Sequence, residues 1–184
     1  MTTILGLPGS LRRRSLNRAL LEAAAEVAPA GATVEIASLA GIPLYDGDLE
    51  ESRGVPEAAV ALREKLAAAD ALLLASPEYN NSLPGVLKNA IDWMTRPAKE
   101  IPRVFGGRPV AIVGVTPGPG GTRLAQAAWL PVLRALGMRP WFDKTLYVAG
   151  SGELFDEKLK LVDPEMRERL AAYVRGFAAF ASAG

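Results

Sequence analysis

Short, mainly apolar runs alternate along this chain with segments in which apolar residues recur at helical spacing. The runs predict β-strands at 2–7, 33–37, 70–75, 108–115 and 139–148, the last broken near Phe142. The helical spacing predicts helices at about 15–27, 56–68, 84–94 and 122–136, with a last helix that starts near Asp163. The remaining long segment, 41–55, is rich in Gly, Pro and Asp and is predicted to be a loop.

The strand–helix order repeats five times, which predicts an α/β fold with an open parallel sheet and helices on both faces. The length of 184 residues fits one domain, 1–184. Ligands of such sheets bind at the carboxyl ends of the strands, where the strand order switches. The loops 9–17, 76–84 and 116–123 are expected to meet there, and all three are polar or rich in Gly and Pro.

The first loop has the features of an anion site. It joins a strand to a helix N-terminus, where free backbone N–H groups and the positive end of the helix dipole converge. Ser10, Ser15 and Asn17 add hydroxyl and amide donors, and three consecutive arginines, 12–14, add positive charge. A phosphate is the expected ligand. The alternative is a capped helix start with a solvated basic turn, since Ser15 is a good N-cap residue.

Two common nucleotide motifs are missing from the sequence. The first loop lacks both the Gly-Lys-Ser/Thr of a P-loop and the G-x-G-x-x-G of dinucleotide-binding domains. The second predicted strand also has no Asp or Glu at its end to bind a ribose. A dinucleotide bound in the usual Rossmann manner is therefore not expected.

The second and third loops suit a flat, partly apolar ligand. Pro77, Tyr79 and Leu83 offer a wall, and Asn80 and Asn81 offer amide edges. The third loop adds backbone N–H groups from a glycine-rich turn, with Arg123 nearby. A phosphate at one end and a flat heterocycle at the other describe a mononucleotide such as FMN. The alternatives are a Tyr79 that only caps the core, a solvated Glu78, and glycines that only permit a tight turn.

The composition narrows the chemistry that the side chains can perform. The chain has no cysteine and no histidine, which excludes disulfides, thiolate nucleophiles and the Ser-His-Asp and Cys-His mechanisms. The acidic cluster at Asp46, Asp48, Glu50 and Glu51 is therefore a poor metal site, and no metal is expected. The 21 basic and 20 acidic side chains nearly balance, so no nucleic-acid partner is expected.

The sequence also bears on the location of the protein. It shows no signal-like segment and no apolar run of about 20 residues, so we expect a soluble, cytoplasmic protein without a membrane partner.

Trp93 and Trp129 fall within predicted helices. We interpret them as packing or subunit-interface residues rather than as ligand-stacking ones.

The motifs as a whole resemble a known family. The matching residues are Gly9-Ser10-Leu11-Arg12 with Ser15 and Asn17, then Pro77-Glu78-Tyr79-Asn80, and then the run 84–93, PGVLKNAIDW. This pattern, which extends from residue 4 to about 150, resembles the NADPH-dependent FMN reductases, a family of flavodoxin-like quinone, chromate and azo-dye reductases. Asn81 departs from the glycine usual there. Because asparagine tolerates positive φ, the turn is expected to survive, with a side chain that could narrow the pocket. The first loop also has three consecutive arginines, 12–14, which is more than the family motif requires.

The resemblance implies a flavodoxin-like α/β/α sandwich with a five-stranded parallel sheet in the order 2-1-3-4-5. It implies non-covalent FMN, NADPH or NADH as co-substrate, a small-molecule electron acceptor, and a homodimer or homotetramer with helix 84–94 and Trp93 near the interface. The residues that the resemblance implies for FMN binding are Ser10, Arg12, Ser15, Leu16, Asn17, Pro77, Glu78, Tyr79, Asn80, Asn81, Thr116, Gly118, Gly120 and Gly121.

This interpretation, an FMN site in a member of such a family, predicts a two-electron flavin reductase with a ping-pong mechanism. The cofactor would carry the hydride, so no catalytic side chain is required, in keeping with a chain that has no His or Cys. One alternative is a flavodoxin-type electron carrier, although such carriers are usually strongly acidic. Another is a flavin-free binding protein on the same fold.

Overall fold

A parallel sheet forms the centre of the protein. The computed structural model describes residues 1–150 and 152–183. Its strands are β1 (Thr2–Pro8), β2 (Ala32–Ile36), β3 (Ala71–Ala75), β4 (Pro109–Val115), β5 (Arg139–Pro140) and β6 (Leu146–Val148). They run in the order β2-β1-β3-β4-β5, and β6 also pairs with β4 in parallel. The predicted order is confirmed, and β5 and β6 share the fifth position because the strand is interrupted around Phe142, as the sequence indicated.

Within the described residues, seven α-helices connect or flank these strands. They are α1 (Leu16–Glu26), α2 (Gly47–Arg53), α3 (Glu57–Ala68), α4 (Gly85–Met94), α5 (Ile101–Val104), α6 (Arg123–Ala135) and α7 (Pro164–Ser182), with a short 3-10 helix, Ala98–Glu100, before α5. The Asp163 carboxylate accepts the Met166 N–H at 2.7 Å and caps α7, as its sequence predicts. None of the helices in the described residues is long and apolar enough to cross a membrane.

Alternating strand residues build one core on each face of the sheet. On β3, Leu73 packs with α1 and α7, whereas Leu72 and Leu74 pack with α3, α4 and α6. Because successive side chains of a strand point to opposite faces, a strand that is apolar throughout must be covered on both sides. The result is the predicted three-layer α/β/α sandwich of the flavodoxin-like fold.

Both tryptophans in question are packing residues. Trp93 and Trp129 are fully buried within the chain. The Trp93 indole N–H donates to the Pro43 carbonyl oxygen at 2.9 Å, and that of Trp129 donates to the Ser76 hydroxyl at 2.9 Å. Their polar atoms are thus satisfied internally.

The prediction that 41–55 is a loop was wrong in part, because α2 lies within it. The seven residues of α2 include no buried side chain, so the segment carries no apolar periodicity to detect. Its local signals are the Asp46 carboxylate, which caps the helix, and acidic residues in its first turn. The helices over 98–104 were missed because, at three and four residues, they are too short to show a helical periodicity.

The acidic cluster of this segment is structural. Glu50 accepts hydrogen bonds from the Arg96 guanidinium at 2.8 Å and from the Tyr45 hydroxyl at 3.0 Å. The hydrogen bond to Glu50 raises the pKa of Tyr45 above its ordinary value. Among the described residues, no group of acidic side chains is arranged to hold a metal ion. These contacts fasten the segment after β2 to the end of α4.

Candidate functional site

The loops that follow β1, β3 and β4 meet at one edge of the sheet, as the topology requires. They enclose a cavity of about 330 Å³. The residues around it are Ser10, Arg12, Arg14, Ser15, Leu16, Asn17, Pro77, Glu78, Tyr79, Val115, Thr116, Pro117 and Leu159. We call it the first cavity. Its walls change from hydroxyl and guanidinium groups on the α1 side to Pro77 and Tyr79 on the other.

The α1 side of the first cavity carries a row of free backbone donors. In the part of the chain that the structure describes, the backbone N–H groups of residues 13–17 donate to no protein acceptor. The Ser15 hydroxyl accepts the Arg18 N–H at 3.2 Å, so Ser15 caps α1 and also lines the cavity. Both sequence interpretations of Ser15 are therefore compatible. Free N–H groups at a helix N-terminus next to arginines form a site for a phosphate.

Asn17 is held differently from the expectation. It is buried, and its side-chain amide donates to the Val115 carbonyl at 3.0 Å while its side-chain oxygen accepts the Val115 N–H at 3.1 Å. This pair of bonds ties α1 to the end of β4. The expected contribution of Asn17 to the phosphate therefore falls mainly to its backbone N–H, and its side chain positions two of the loops.

The second loop turns sharply at its tip. Tyr79 and Ser82 exchange backbone hydrogen bonds of 3.1 and 3.0 Å, and the two residues between them, Asn80 and Asn81, have φ values of 50° and 60°. A two-residue hairpin turn with both φ values positive favours Asn and Gly. The expectation that Asn81 preserves the turn is confirmed. Tyr79 is 46% exposed, so it does not cap the core.

Glu78 joins the second loop to the third. Its carboxylate accepts the backbone N–H groups of Leu124 at 2.8 Å and Ala125 at 3.0 Å, in the first turn of α6. Thr122, at the N-cap position, makes no side-chain capping bond. Glu78 thus supplies the cap from a distant loop. It is not merely a solvated loop acid, and no local sequence signal pairs it with α6.

A second cavity, of about 600 Å³, lies between the second and third loops. Its lining comprises Glu78, Asn80, Asn81, Thr116, Gly118, Pro119, Gly120, Gly121, Arg123 and Leu124. Gly121 has a φ of 62°, and a Cβ there would lie 2.9 Å from the Cβ of Tyr147, so this position requires glycine for two reasons. Gly120, by contrast, has no neighbour within 4 Å of such a Cβ. It leaves the rim of the cavity open.

Together the two cavities contain all fourteen predicted cofactor-binding residues, with Glu78 and Thr116 lining both. Sequence reasoning missed part of the wall. The Arg14 guanidinium donates to the Glu157 carbonyl at 2.9 Å, and Leu159, with a φ of 62°, closes the first cavity from the segment after β6. Nothing in the sequence of that segment indicates such a role, because it depends on how the chain returns from β6 to α7.

These residues fit FMN. The free N–H groups and arginines at one end match a phosphate, and the Pro77 and Tyr79 surfaces at the other match the flat isoalloxazine ring. The open second cavity offers amide and backbone groups to the polar edge of such a ring. No side chain at the site is positioned as a nucleophile–base pair.

Comparison with known proteins agrees with this geometry. The family model described as NADPH-dependent FMN reductase matches residues 2–152. An NAD(P)H-dependent FMN reductase of Pseudomonas aeruginosa is 42% identical over 165 residues, covering 90% of this chain and 87% of that protein. A 2-hydroxy-1,4-benzoquinone reductase of a Burkholderia species is 37% identical over 172 residues, covering 94% and 92%.

A solved structure also matches along its whole length. FerB, a flavoenzyme NAD(P)H:(acceptor) oxidoreductase from Paracoccus denitrificans, superimposes with a TM-score of 0.87 at 30% identity and covers 99% of this chain and 98% of that one. A family model over most of the chain and full-length relatives well above 30% identity lead to one conclusion. The chain belongs to the NADPH-dependent FMN reductase family of flavodoxin-like oxidoreductases.

Proposed function

We propose that this protein is an FMN-dependent NAD(P)H oxidoreductase that reduces quinones or similar small acceptors. The observation that carries the proposal is the row of free N–H groups at residues 13–17, which lies across the first cavity from the largely buried Pro77 and the exposed ring of Tyr79. A phosphate group and a flat ring are thus accommodated in one cavity. Relatives named as an FMN reductase and as quinone reductases support it.

Each loop has a proposed role in holding the cofactor. Ser10, Arg12 and Ser15, with the backbone of Leu16 and Asn17, would bind the phosphate. The segment 77–81 would contact the isoalloxazine ring on one side. Thr116, Gly118, Gly120 and Gly121 would direct backbone groups at its polar edge, where donors stabilise the negative charge that reduction adds.

When bound, FMN would supply hydride transfer between NAD(P)H and the acceptor, and we propose that the two substrates use one place in turn, in a ping-pong scheme. The protein positions the cofactor and leaves one face of its ring accessible to the substrates. Tyr79 is 46% exposed, and the rim at Gly118 and Gly120 has few neighbours, so one face of the site stays open to a second planar molecule. Such an opening selects weakly among quinones, chromate, azo or nitro compounds and free flavin.

We propose further that the chain acts as one FMN-binding domain, 1–184, and assembles as a homodimer or homotetramer with α4 near the contact. The family resemblance and the surface on this side support the assembly, because Leu44 and Tyr45, beside α4, are 80% and 44% exposed. The proposed compartment is the cytoplasm, where NADPH and NADH are available to a reductase.

Steady-state kinetics test this function. The FMN-loaded protein is mixed with NADPH or NADH and a benzoquinone, and oxidation of the nicotinamide is followed while both substrates are varied. We expect sustained turnover by the protein alone and parallel double-reciprocal lines. Intersecting lines would contradict the ping-pong scheme. Flavin binding without turnover would instead favour the flavodoxin-type electron carrier.

A further inference from the structure

We propose that a second anion pocket, beside the FMN phosphate site, binds the 2′-phosphate of NADPH and makes NADPH the preferred reductant. The inference rests on the proposed function, because it assigns a co-substrate to the same site. The pocket has a volume of about 240 Å³ and lies where β1 and β2 end. Its lining comprises Pro8, Ser10, Leu11, Arg12, Arg13, Arg18, Ser38, Leu39 and Ala40.

The charge of this pocket is positive and only partly compensated. Of its three arginines, Arg18 pairs with Glu22 at 3.0 Å. Within the described residues, the side chains of Arg12 and Arg13 form no ion pair with any carboxylate. No acidic residue lines the pocket. Uncompensated guanidinium groups converging on one concavity favour a phosphate ligand.

One anion does not account for all of the charge on this loop. Arg12 and Arg14 line the first cavity together with Ser15, and they face the proposed FMN phosphate. Arg13 and Arg18 line the second anion pocket and not the first cavity. The two concavities share Ser10 and Arg12, so they lie back to back across the first loop. A second phosphate would therefore sit close to the first, sharing Ser10 and Arg12 with it and drawing on Arg13 and Arg18 as its own donors.

The end of β2 favours a 2′-phosphate in particular. The nucleotide does not bind here in the Rossmann manner, because the first loop is taken by the proposed FMN phosphate, so only the local chemistry is comparable. In dinucleotide-binding domains an Asp or Glu after the second strand binds the ribose hydroxyls of NAD, and an arginine near there accommodates the 2′-phosphate of NADP. Here β2 is followed by Ala37, Ser38, Leu39 and Ala40, which are uncharged. The Ser38 oxygen accepts the Ala40 N–H at 3.1 Å, which leaves its hydroxyl hydrogen free to donate. The local chemistry accepts a phosphate where an acid would repel it.

Charge-removing variants test the proposal by co-substrate preference. Arg13→Gln and Arg18→Gln are compared with Arg175→Gln, which removes an exposed arginine of α7 far along the chain. The kcat/KM values for NADPH and NADH are measured with FMN-loaded protein and one benzoquinone. Because a charge-assisted hydrogen bond at an exposed site is lost, we expect the NADPH-to-NADH ratio to fall about fivefold to tenfold in each pocket variant. We expect no change in Arg175→Gln.

Other outcomes contradict the assignment. Equal losses with NADPH and NADH would mean that the pocket binds the pyrophosphate or acts through overall charge. An unchanged ratio would mean that the pocket binds neither phosphate. Wild-type FMN-loaded protein that oxidises neither nucleotide would overturn the proposed function and leave the pocket to be judged by binding.

Calorimetry gives that separate readout. FMN-loaded wild-type protein is titrated with adenosine 2′,5′-bisphosphate and with adenosine 5′-monophosphate. We expect the bisphosphate to bind at least about tenfold more tightly in the wild type and in Arg175→Gln, and the difference to shrink in Arg13→Gln. Equal affinities for the two nucleotides in the wild type would overturn the proposal.

Discussion

At the scale of single residues, Ser15 performs two functions that one substitution can separate. Its hydroxyl caps α1 through the Arg18 N–H, and it lines the cavity that holds the proposed FMN phosphate. Aspartate is an equally good N-cap, yet it places a negative charge beside that phosphate. Ser15→Asp should therefore preserve folding and weaken FMN binding by at least tenfold, about 1.4 kcal/mol. Titration of the apo protein with FMN measures the affinity.

Ser15→Ala is the matched control. It loses the cap and should lower the free energy of unfolding by about 1 kcal/mol without adding charge repulsion. If Ser15→Asp binds FMN as well as the wild type does, the phosphate is not at this loop.

Glu78 acts by holding two loops together. Its carboxylate accepts two N–H groups in the first turn of α6, which otherwise has no side-chain cap. Glu78→Ala should lower the free energy of unfolding by about 1 kcal/mol and speed hydrogen exchange at Leu124 and Ala125. FMN affinity should fall as well, because the second and third loops, which line the second cavity, are no longer held together by the Glu78 carboxylate.

Glu78→Gln separates the effect of losing the contact between Glu78 and α6 from a general loss of protein stability. It retains an acceptor oxygen but loses the charge, so its exchange rates and FMN affinity should lie between those of the wild type and Glu78→Ala. Unchanged exchange at Leu124 and Ala125 in Glu78→Ala would show that the carboxylate does not cap α6.

At the scale of elements, α7 packs through a glycine against Trp141, the residue that follows β5. A Cβ on Gly176 would lie 2.8 Å from the Trp141 ring, which is itself buried and in edge contact with Tyr173. Alanine is the better helix former by about 1 kcal/mol, but overpacking a core costs about 1–3 kcal/mol. Gly176→Ala should therefore lower the free energy of unfolding, measured by denaturant titration.

Gly85, the first residue of α4, is the control for that variant. A Cβ there would meet no atom within 4 Å, so Gly85→Ala should be neutral or stabilising. Stabilisation by both substitutions would contradict the packing of α7 against Trp141.

The segment around α2 has a pH-dependent contact. The hydrogen bond from Tyr45 to Glu50 raises the pKa of the phenol above 10.0. Because the folded-state pKa is the higher one, the contribution is fully present below the ordinary tyrosine pKa and is lost as pH rises through the raised value. Tyr45→Phe, which keeps the ring against Trp93, should be less stable than the wild type at about pH 8, and the difference should shrink by about pH 11. A constant difference would show that this hydrogen bond contributes nothing.

At the scale of the molecule, a parallel sheet covered on both faces follows from the sequence because the central strands are apolar throughout, whereas the strand order was implied by the family resemblance. The run Ala71–Ala75 could form only a strand covered on two sides, and the loop positions follow from that. The helix α2 could not be predicted by periodicity, because it buries no side chain. The same distinction holds at the site. The donors at Ser10 and Ser15 are local in sequence, whereas the contacts of Glu78 with α6 and of Asn17 with Val115 exist only after the loops have met.

We propose that the three loops hold one flavin and leave its face accessible, and an anaerobic visible spectrum tests this most directly. The purified protein is supplied with FMN, and NADPH is then added while the oxidised-flavin bands near about 450 nm, a property of the cofactor, are followed. We expect the protein-bound flavin bands to appear and then to bleach within seconds. Bound flavin that stays oxidised with both NADPH and NADH would contradict the reductase function, and a protein that takes up no FMN would contradict the assignment of all three loops.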